Sequence, residues 1–295
     1  MSTTAVVEFP VHDWNAPVDA DQAGAIADAL EDGAVVRFPK LPFALQPSEA
    51  ALLEAAVLSG RKNISYRPAG RSIKGMRGDA AAAATACGLL ERYYRSTRSL
   101  VAQLYPAPGA LIDGRGSLRP AEIEGRLPKS WRKDDTRLHV DAFPATPVQG
   151  RRILRVFSNV HPGVRERVWQ VGERFGDVAR HFFPRLPAPN PLAARLMELA
   201  RITRGRRTGY DHYMLNLHDA MKQDVAYQSG VGKTTVRFAP GETWMVYTDL
   251  VSHAALAGRH ALEQTFYVPP QALRHRERAP FAILEKLAGR PLLAS

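Results

Sequence analysis

The second half of the chain is a succession of short β-prone runs separated by turn-forming residues, and this feature constrains the fold most. The runs are rich in β-branched and aromatic residues, and Gly, Pro and Asp lie between them. They cover residues 137–141, 152–160, 213–217, 225–228, 234–238, 243–247 and 263–268. Short strands at this spacing are typical of a sandwich or barrel. We predict a β-barrel or jelly-roll core, interrupted by helices at about 164–183 and 191–202.

The first half has helical periodicity instead. The predicted elements are a helix that starts at Asp19 or Asp21, a strand over 34–38, a helix over 50–58 and a long helix over 79–105. Apolar residues recur along one side of the long helix, and two prolines end it. The sequence therefore predicts an α+β fold and a single domain, in which a helix-rich part over about 1–130 packs on a β core over about 131–270.

Length and composition set the class of protein. A chain of 295 residues with 45% hydrophobic residues can bury a large core. A single cysteine, Cys87, excludes a scaffold held by internal disulfides. The first residues lack the pattern of a signal peptide, and no apolar run approaches the roughly 18 residues of a membrane span. We expect a soluble protein of a reducing compartment.

The chain carries a formal net charge of +11. Such an excess has two interpretations: coding composition, or attraction of an anionic partner. The candidate partners are nucleic acid, an acidic metabolite and an anionic membrane surface. An exposed basic loop containing Arg201, Arg204, Arg206 and Arg207 could contact phosphates or anionic headgroups, and a merely solvated loop explains it equally well.

A His-x-Asp pair in one predicted strand is the sharpest chemical signal. Side chains alternate along a strand, so His139 and Asp141 would project from the same face. A second histidine would complete a set of two histidines and one carboxylate, which suits non-haem Fe(II) and leaves positions open for other ligands. By itself, His-x-Asp is a weak motif.

The second histidine has several candidates. His253 follows the predicted strand over 243–247 and precedes another β-rich run, late in the predicted barrel. That position places it opposite the His-x-Asp strand. His260 is the main competitor, and His212 and His218 are weaker ones.

An arginine within an apolar β run points to an anionic ligand. Arg155 lies in the run over 152–157, and a buried guanidinium requires an anion, which it can grip in bidentate geometry. We predict that Arg155 binds the distal carboxylate of a keto acid. Arg152, at the start of the run, is explained as an exposed residue, and Gln264 is a candidate to line the same pocket.

Several segments together resemble the Kdo 3-hydroxylase family, where Kdo is 3-deoxy-D-manno-oct-2-ulosonic acid. They are residues 62–66, 131–144, 150–159, 210–222 and 252–256, so the resemblance spans nearly the whole chain. It implies an Fe(II)- and 2-oxoglutarate-dependent dioxygenase on a double-stranded β-helix, a cupin-like jelly roll. It implies that His139, Asp141 and His253 bind the iron, and that O2 is the second co-substrate.

The resemblance also implies the substrate, carbon 3 of a Kdo residue in the Kdo–lipid A part of lipopolysaccharide, with succinate and CO2 as by-products. His212, His218 and Lys222 are candidates for contacting the sugar, on a run that we predict to be a strand. A lipid-linked substrate implies a cytoplasmic protein in weak peripheral contact with the cytoplasmic face of the inner membrane.

Two other functions compete with this interpretation. One is a 2-oxoglutarate dioxygenase that acts on another acidic small molecule. The other is a basic nucleic-acid-binding protein, and the absence of zinc-finger spacing and of helix-turn-helix or aromatic RNA-binding signatures argues against it. We expect no nucleic-acid partner.

Overall fold

The structure, a computed structural model, describes residues 5–293 and has an α+β fold built on two β-sheets. Its strands are β1 Val6–Glu8, β2 Val35–Phe38, β3 Ile64–Arg67, β4 Ser72–Lys74, β5 Ile112–Arg119, β6 Arg152–Asn159, β7 Arg167–Val171, β8 Thr234–Phe238, β9 Thr243–Tyr247, β10 His253–Ala257 and β11 Ala261–Val268. The expectation of no signal peptide falls in part on residues 1–4, which lie outside the described residues.

The α-helices flank these sheets. They are α1 Ala20–Glu31, α2 Ala80–Leu104, α3 Phe175–Phe182, α4 Pro191–Leu199, α5 Gly209–Gln223, α6 Val225–Gly230 and α7 Pro280–Ala288. The Asp19 carboxylate caps α1, and the Asp79 carboxylate caps α2 by accepting from the Ala82 amide. Among residues 5–293, no helix has the length and apolarity that crossing a bilayer requires.

The larger sheet has eight strands in the order β1-β2-β9-β6-β11-β5-β3-β4. Its pairs are antiparallel except for β1 with β2. The smaller sheet has the order β10-β7-β8, and an isolated antiparallel bridge between His139 and His253 extends it beside β10. The smaller sheet faces one side of the larger sheet, and helices cover its other side.

Aromatic residues fill the space between the two sheets. The Trp244 ring stacks on Phe238 with centroids 3.9 Å apart and on Phe157 at 5.2 Å, and Trp169 meets it edge-on at 5.7 Å. Helices α1 and α2 cover the opposite face of the larger sheet with a second, larger apolar cluster. The alternation of β6 and β11 thus sends one set of side chains into the interior between the sheets and the other set toward the helices.

The predictions of α1, α2, α4 and several strands are confirmed, but two predicted strands are helices. Residues 213–217 lie within α5, and residues 225–228 lie within α6. Thr208 and Asp211 form a reciprocal capping box at the start of α5. Buried Tyr210, Met214, Leu217 and Met221 then follow with helical spacing, so this periodicity, rather than the aromatic content, decides the structure.

Other boundaries also differ from the predictions. The segment 164–183, predicted as one helix, contains β7 followed by α3, and the segment 50–58 forms 3₁₀ turns over 47–53 and 55–57. Residues 137–141 form no strand beyond the bridge at His139. The sequence predicts that the β core begins near residue 131, but five strands of the larger sheet, β1 to β5, come before that residue. Those strands are short or, as in β5, interrupted by glycines, so their sequence does not alternate clearly.

A buried ion pair anchors the start of β6. Arg152 and Asp249 are both 0% exposed, and the Arg152 Nε donates to Asp249 Oδ2 at 2.7 Å. The Asp249 carboxylate also accepts from the Ile153 amide, and the Arg152 guanidinium lies 4.0 Å from the Tyr247 ring centroid. The expectation that Arg152 is exposed is wrong. The first residue of a strand is buried here because the turn after β9 supplies a carboxylate opposite it.

Removing one partner of this pair should destabilise the fold strongly. We expect Asp249→Ala to lower the free energy of unfolding by about 3–5 kcal/mol, because it leaves a buried guanidinium without its anion. Glu166→Ala, which breaks the exposed pair with Arg237, is the matched control and should cost at most about 1 kcal/mol. Urea unfolding of both variants measures the difference. Equal midpoints for the two variants would contradict the prediction.

Candidate metal centre and its cavity

Two histidines and one aspartate converge where the two sheets meet. His139 and His253 pair through both backbone hydrogen bonds, at 3.0 and 2.9 Å, and their rings lie 4.6 Å apart. The Asp141 amide donates to the Thr248 carbonyl at 2.7 Å, which brings its carboxylate to the same point. One ligand atom from each of the three side chains lies within 4.8 Å of the others. The structure therefore brings together the three residues that the sequence singled out.

Both imidazoles are oriented by their own backbone. The Nδ1 of His139 contacts the Arg137 carbonyl at 2.8 Å, and the Nδ1 of His253 contacts the Val251 carbonyl at 2.9 Å. A carbonyl only accepts, so each Nδ1 is the protonated nitrogen and each Nε2 keeps its lone pair. Burial lowers the pKa of both histidines, which keeps the rings neutral. Neutral Nε2 atoms held in this way are suited to bind a metal.

The third ligand of the group, the Asp141 carboxylate, is held by Arg155. Its Nη2 lies 2.9 Å from Asp141 Oδ2, and its Nη1 lies 3.1 Å from Glu263 Oε1. Burial alone would raise the pKa of Asp141, but the Arg155 guanidinium holds that pKa well below its usual range. Asp141 is therefore ionised, with Oδ1 on the side of His139.

This geometry changes the interpretation of Arg155. The side chain faces the interior between the sheets, as predicted, but its charge is already matched by Asp141 and Glu263. Glu263 belongs to the same face of β11 as Thr265, which lies directly across from Arg155. Arg155 is thus engaged with protein carboxylates and orients the carboxylate of the candidate metal site.

A second interior arginine, missed in the sequence, lacks such a partner. Arg167 on β7 is 3% exposed, and its Nη1 donates to the Gly258 carbonyl at 2.8 Å. Its Nε is buried without a hydrogen-bond partner, as is the Nε of Arg155, but no carboxylate among residues 5–293 pairs with Arg167. Burial lowers the pKa of the Arg167 side chain. Arginine stays charged even so. An arginine in an apolar β run is the signal that identifies Arg155, and at Arg167 the helix predicted over about 164–183 conceals this signal.

Arg167 and the candidate metal site share one cavity of about 300 Å³. Trp169 lies between them along β7, and its ring stacks on His253 with centroids 5.2 Å apart. The cavity is rich in cations; its lining includes Lys62, Arg119, Arg132, Lys133, Asp135, Arg155, Phe157, His218 and Lys222. Such a cavity is suited to bind an elongated dianion that spans the distance between the three candidate metal ligands and Arg167.

The predicted sugar-contacting residues divide into two groups. His218 and Lys222 line the cavity, and the His218 ring lies 5.4 Å from the His139 ring. His212 lies elsewhere, with its Nε2 2.9 Å from the Pro187 carbonyl. In an α-helix six residues rotate by about 600°, so His212 and His218 point to different sides, whereas in a strand they would share a face.

Two further candidates lie outside the cavity. Gln264 is on the opposite face of β11 from Glu263, and its amide donates to the Thr265 carbonyl at 2.9 Å. Gln264 therefore does not line the cavity that holds the candidate metal site, because side chains alternate along a strand. His260 stacks on His161 at 4.8 Å and is absent from the described group of ligands.

Comparison with known proteins agrees with this geometry. The profile of the 3-deoxy-D-manno-oct-2-ulosonic acid (Kdo) hydroxylase family matches residues 13–291. No curated protein sequence matches the chain. A crystal structure of the Kdo hydroxylase KdoO, a non-heme Fe(II) alphaketoglutarate-dependent dioxygenase, in complex with alphaketoglutarate and Fe(III) is 41% identical, with a TM-score of 0.93 over 98% of this chain and 97% of that one.

A second KdoO structure, in complex with cobalt(II), is 42% identical, with a TM-score of 0.94 over 99% of this chain and 98% of that chain. A third, in complex with succinate and Fe(III), is also 42% identical, with a TM-score of 0.93 and the same coverage. The similarity extends over nearly the full length of both proteins, at an identity that goes well beyond a shared fold. The chain belongs to the Kdo hydroxylase family.

Proposed function

We propose that this protein hydroxylates carbon 3 of a Kdo residue in Kdo–lipid A, with Fe(II), 2-oxoglutarate and O2. The observation that carries the proposal is the convergence of His139, Asp141 and His253 in a cationic cavity, in a member of the Kdo hydroxylase family. The cavity also matches the substrate, since Kdo and 2-oxoglutarate both carry carboxylates. Succinate and CO2 are the expected by-products.

We assign the core to a double-stranded β-helix. The assignment is supported by two facing sheets, one with four core strands and the other with three strands and a segment joined by a single bridge. One consists of β5, β11, β6 and β9, and the other consists of the segment at His139 with β10, β7 and β8. In this arrangement both histidines occupy paired positions beside one sheet, and Arg155 reaches Asp141 from the other sheet.

The residues divide the work as follows. His139, Asp141 and His253 would hold Fe(II), which supplies O2 activation for insertion of one oxygen atom into a C–H bond. Arg155 fixes the orientation and the charge of Asp141. Phe157 and Trp169 form an apolar wall that limits water near the three ligands.

We assign the distal carboxylate of 2-oxoglutarate to Arg167 instead of Arg155. A buried cation without a matching carboxylate favours an anionic ligand, and Arg167 is such a cation whereas Arg155 is not. Its place on β7, beyond Trp169 from His253, is consistent with a keto acid that lies along the strand. His218 and Lys222, which line the same cavity from α5, are left for the Kdo carboxylate and hydroxyls.

We also propose weak peripheral contact with the cytoplasmic face of the inner membrane, now through α4. Leu192, Leu196 and Leu199 are 67%, 57% and 70% exposed and recur at helical spacing along α4, and Ile202, which follows the helix, is 61% exposed. Arg195 and Arg201 are exposed beside them. An apolar stripe flanked by arginines is the pattern of a helix that lies in an anionic lipid interface.

The first prediction concerns the three ligands. His139→Ala, Asp141→Ala and His253→Ala should each abolish formation of succinate and of a Kdo–lipid A product that has gained one oxygen atom. Each should also lower the bound iron, because three protein ligands are needed to hold it. Iron content, mass spectrometry of the glycolipid and circular dichroism test this, with His260→Ala as the matched control. Full iron and activity in His253→Ala, with both lost in His260→Ala, would reverse the assignment.

The second prediction separates the two arginines. Arg167→Ala should weaken 2-oxoglutarate binding by well over tenfold and spare iron, on the scale of about 2–5 kcal/mol for truncating one partner of a buried pair. Arg155→Ala should instead lower iron affinity by about 10–100-fold, as expected for loss of a residue that orients a ligand. Titrations of iron and of 2-oxoglutarate distinguish the variants. Intact iron binding together with impaired 2-oxoglutarate binding in Arg155→Ala would restore the original assignment.

The third prediction concerns α4. The protein should sediment with anionic vesicles at low salt and be released at raised salt, since each basic residue near the surface contributes about 1 kcal/mol. Replacing Leu192, Leu196 and Leu199 together by Gln should weaken this binding by tenfold or more. The control replaces the exposed Leu127, Val164 and Val225 in the same way. Unchanged vesicle binding would exclude the membrane role, and a dimer lost in the α4 variant would make this face an interface between copies.

A further inference from the structure

A second and larger cavity adjoins the one that holds the candidate metal site. Its volume is about 510 Å³, and Arg119 and Arg155 line both cavities. The lining of the second cavity continues with Arg61, Asn63, Ser65, Arg115, Ser117, Phe143, Arg204, Glu263, Thr265 and Tyr267. The two cavities therefore meet at Arg119 and Arg155.

The charges of this second cavity are strongly unbalanced. Glu263 is the only carboxylate among the described residues of its lining, and it is already paired with Arg119 and Arg155. Within residues 5–293, Arg61, Arg115 and Arg204 have no carboxylate partner. These three arginines are exposed, and they line an open space in which the carboxylate of Glu263 is already paired.

The fold brings these arginines together from separate segments. The register that pairs Tyr66 with Gly116 brings Arg67 next to Arg115 on the neighbouring strand. Arg204 comes from the connection between α4 and α5, where its amide donates to the Ala145 carbonyl at 2.9 Å. Partial burial, and then Arg67, Arg204 and Arg61, lower the pKa of Arg115. Like charges at such positions destabilise a sheet unless an anion lies between them.

We propose that Arg61, Arg115 and Arg204 form a subsite that binds a phosphate monoester of the glycolipid whose sugar occupies the neighbouring metal cavity. A phosphate monoester carries about −1.5 to −2 charges and offers three acceptor oxygens, which suits several converging guanidinium groups. A carboxylate carries one charge, and a single arginine can bind it in bidentate geometry. The proposal rests on the proposed function and names the part of lipid A that the protein recognises.

This assignment separates Arg204 from its neighbours in the sequence. Arg206 and Arg207 line a different depression beside α4, together with Pro191 and Met197. Arg204 alone of the three lines the cavity that adjoins the metal site. Recognition of the substrate phosphate and attraction to the lipid surface are thus assigned to different arginines.

The test measures binding without turnover, in the absence of O2, and uses two probes. One is Kdo–lipid A, and the other is the same glycolipid after removal of its phosphate groups. The unmodified protein should bind the phosphorylated probe about tenfold or more tightly, the difference expected for hydrogen bonds to a charged group. In Arg115→Gln/Arg204→Gln, the difference between the probes should largely disappear. Arg259→Gln, an exposed arginine outside both cavities, is the matched control and should keep it.

Competition with inorganic phosphate distinguishes a substrate phosphate from a free one. Phosphate should compete with the phosphorylated probe in the unmodified protein and lose this effect in the double variant. Equal binding of both probes by the unmodified protein, or an equal loss for both in the double variant, would overturn the proposal. Binding that depends on phosphate without any oxygenated product under turnover conditions would refute the hydroxylase function and leave the subsite supported.

Discussion

The backbone pairing of His139 with His253 is the interaction on which the candidate site depends. Directly opposed residues of an antiparallel pair place their side chains on the same face, so two hydrogen bonds bring both imidazoles together. Asp141 is brought to them by its amide contact with Thr248, at the turn that follows β9. His139 and Asp141 thus come from one short segment and His253 from a distant one, and backbone contacts of that segment with β10 and with the turn after β9 bring all three to one point.

The buried ion pair of Arg152 and Asp249 supports the same turn. Asp249 accepts from the Ile153 amide, while the Thr248 amide donates to the Ile153 carbonyl. Two hydrogen bonds to Ile153, one accepted by Asp249 and one donated by Thr248, therefore hold this turn against the start of β6. The stability of the core and the geometry of the site are consequently linked through Arg152, Ile153, Thr248 and Asp249.

The interior arginines differ in whether the protein supplies their counter-ion. Arg152 and Arg155 face carboxylates of the chain, and each of them orders a turn or a ligand. Among residues 5–293, Arg167 has no carboxylate partner, and neither have Arg61, Arg115 and Arg204 of the adjoining cavity. A buried cation is costly without an anion, so Arg167 identifies one position where an anionic ligand binds. Arg61, Arg115 and Arg204 are exposed and mark the other position by their clustered positive charge. The net charge of the chain alone does not distinguish arginines that the protein pairs with a carboxylate from arginines that it leaves unpaired.

The sequence by itself determined the α+β class, the two long N-terminal helices, the His-x-Asp pair and the set of histidines from which the third ligand comes. These properties depend on local patterns: capping residues, apolar periodicity and the spacing of polar residues. It also contained the helical spacing of α5, which the aromatic content of the segment obscured.

Only the tertiary structure decided which histidine faces His139 and which arginine remains unmatched. Both outcomes depend on strand register and on partners such as Glu263, which lies more than a hundred residues from Arg155. Local sequence specifies which side of an element is buried. The contacts between distant elements depend on how the two sheets pack, and no short stretch of sequence contains that information.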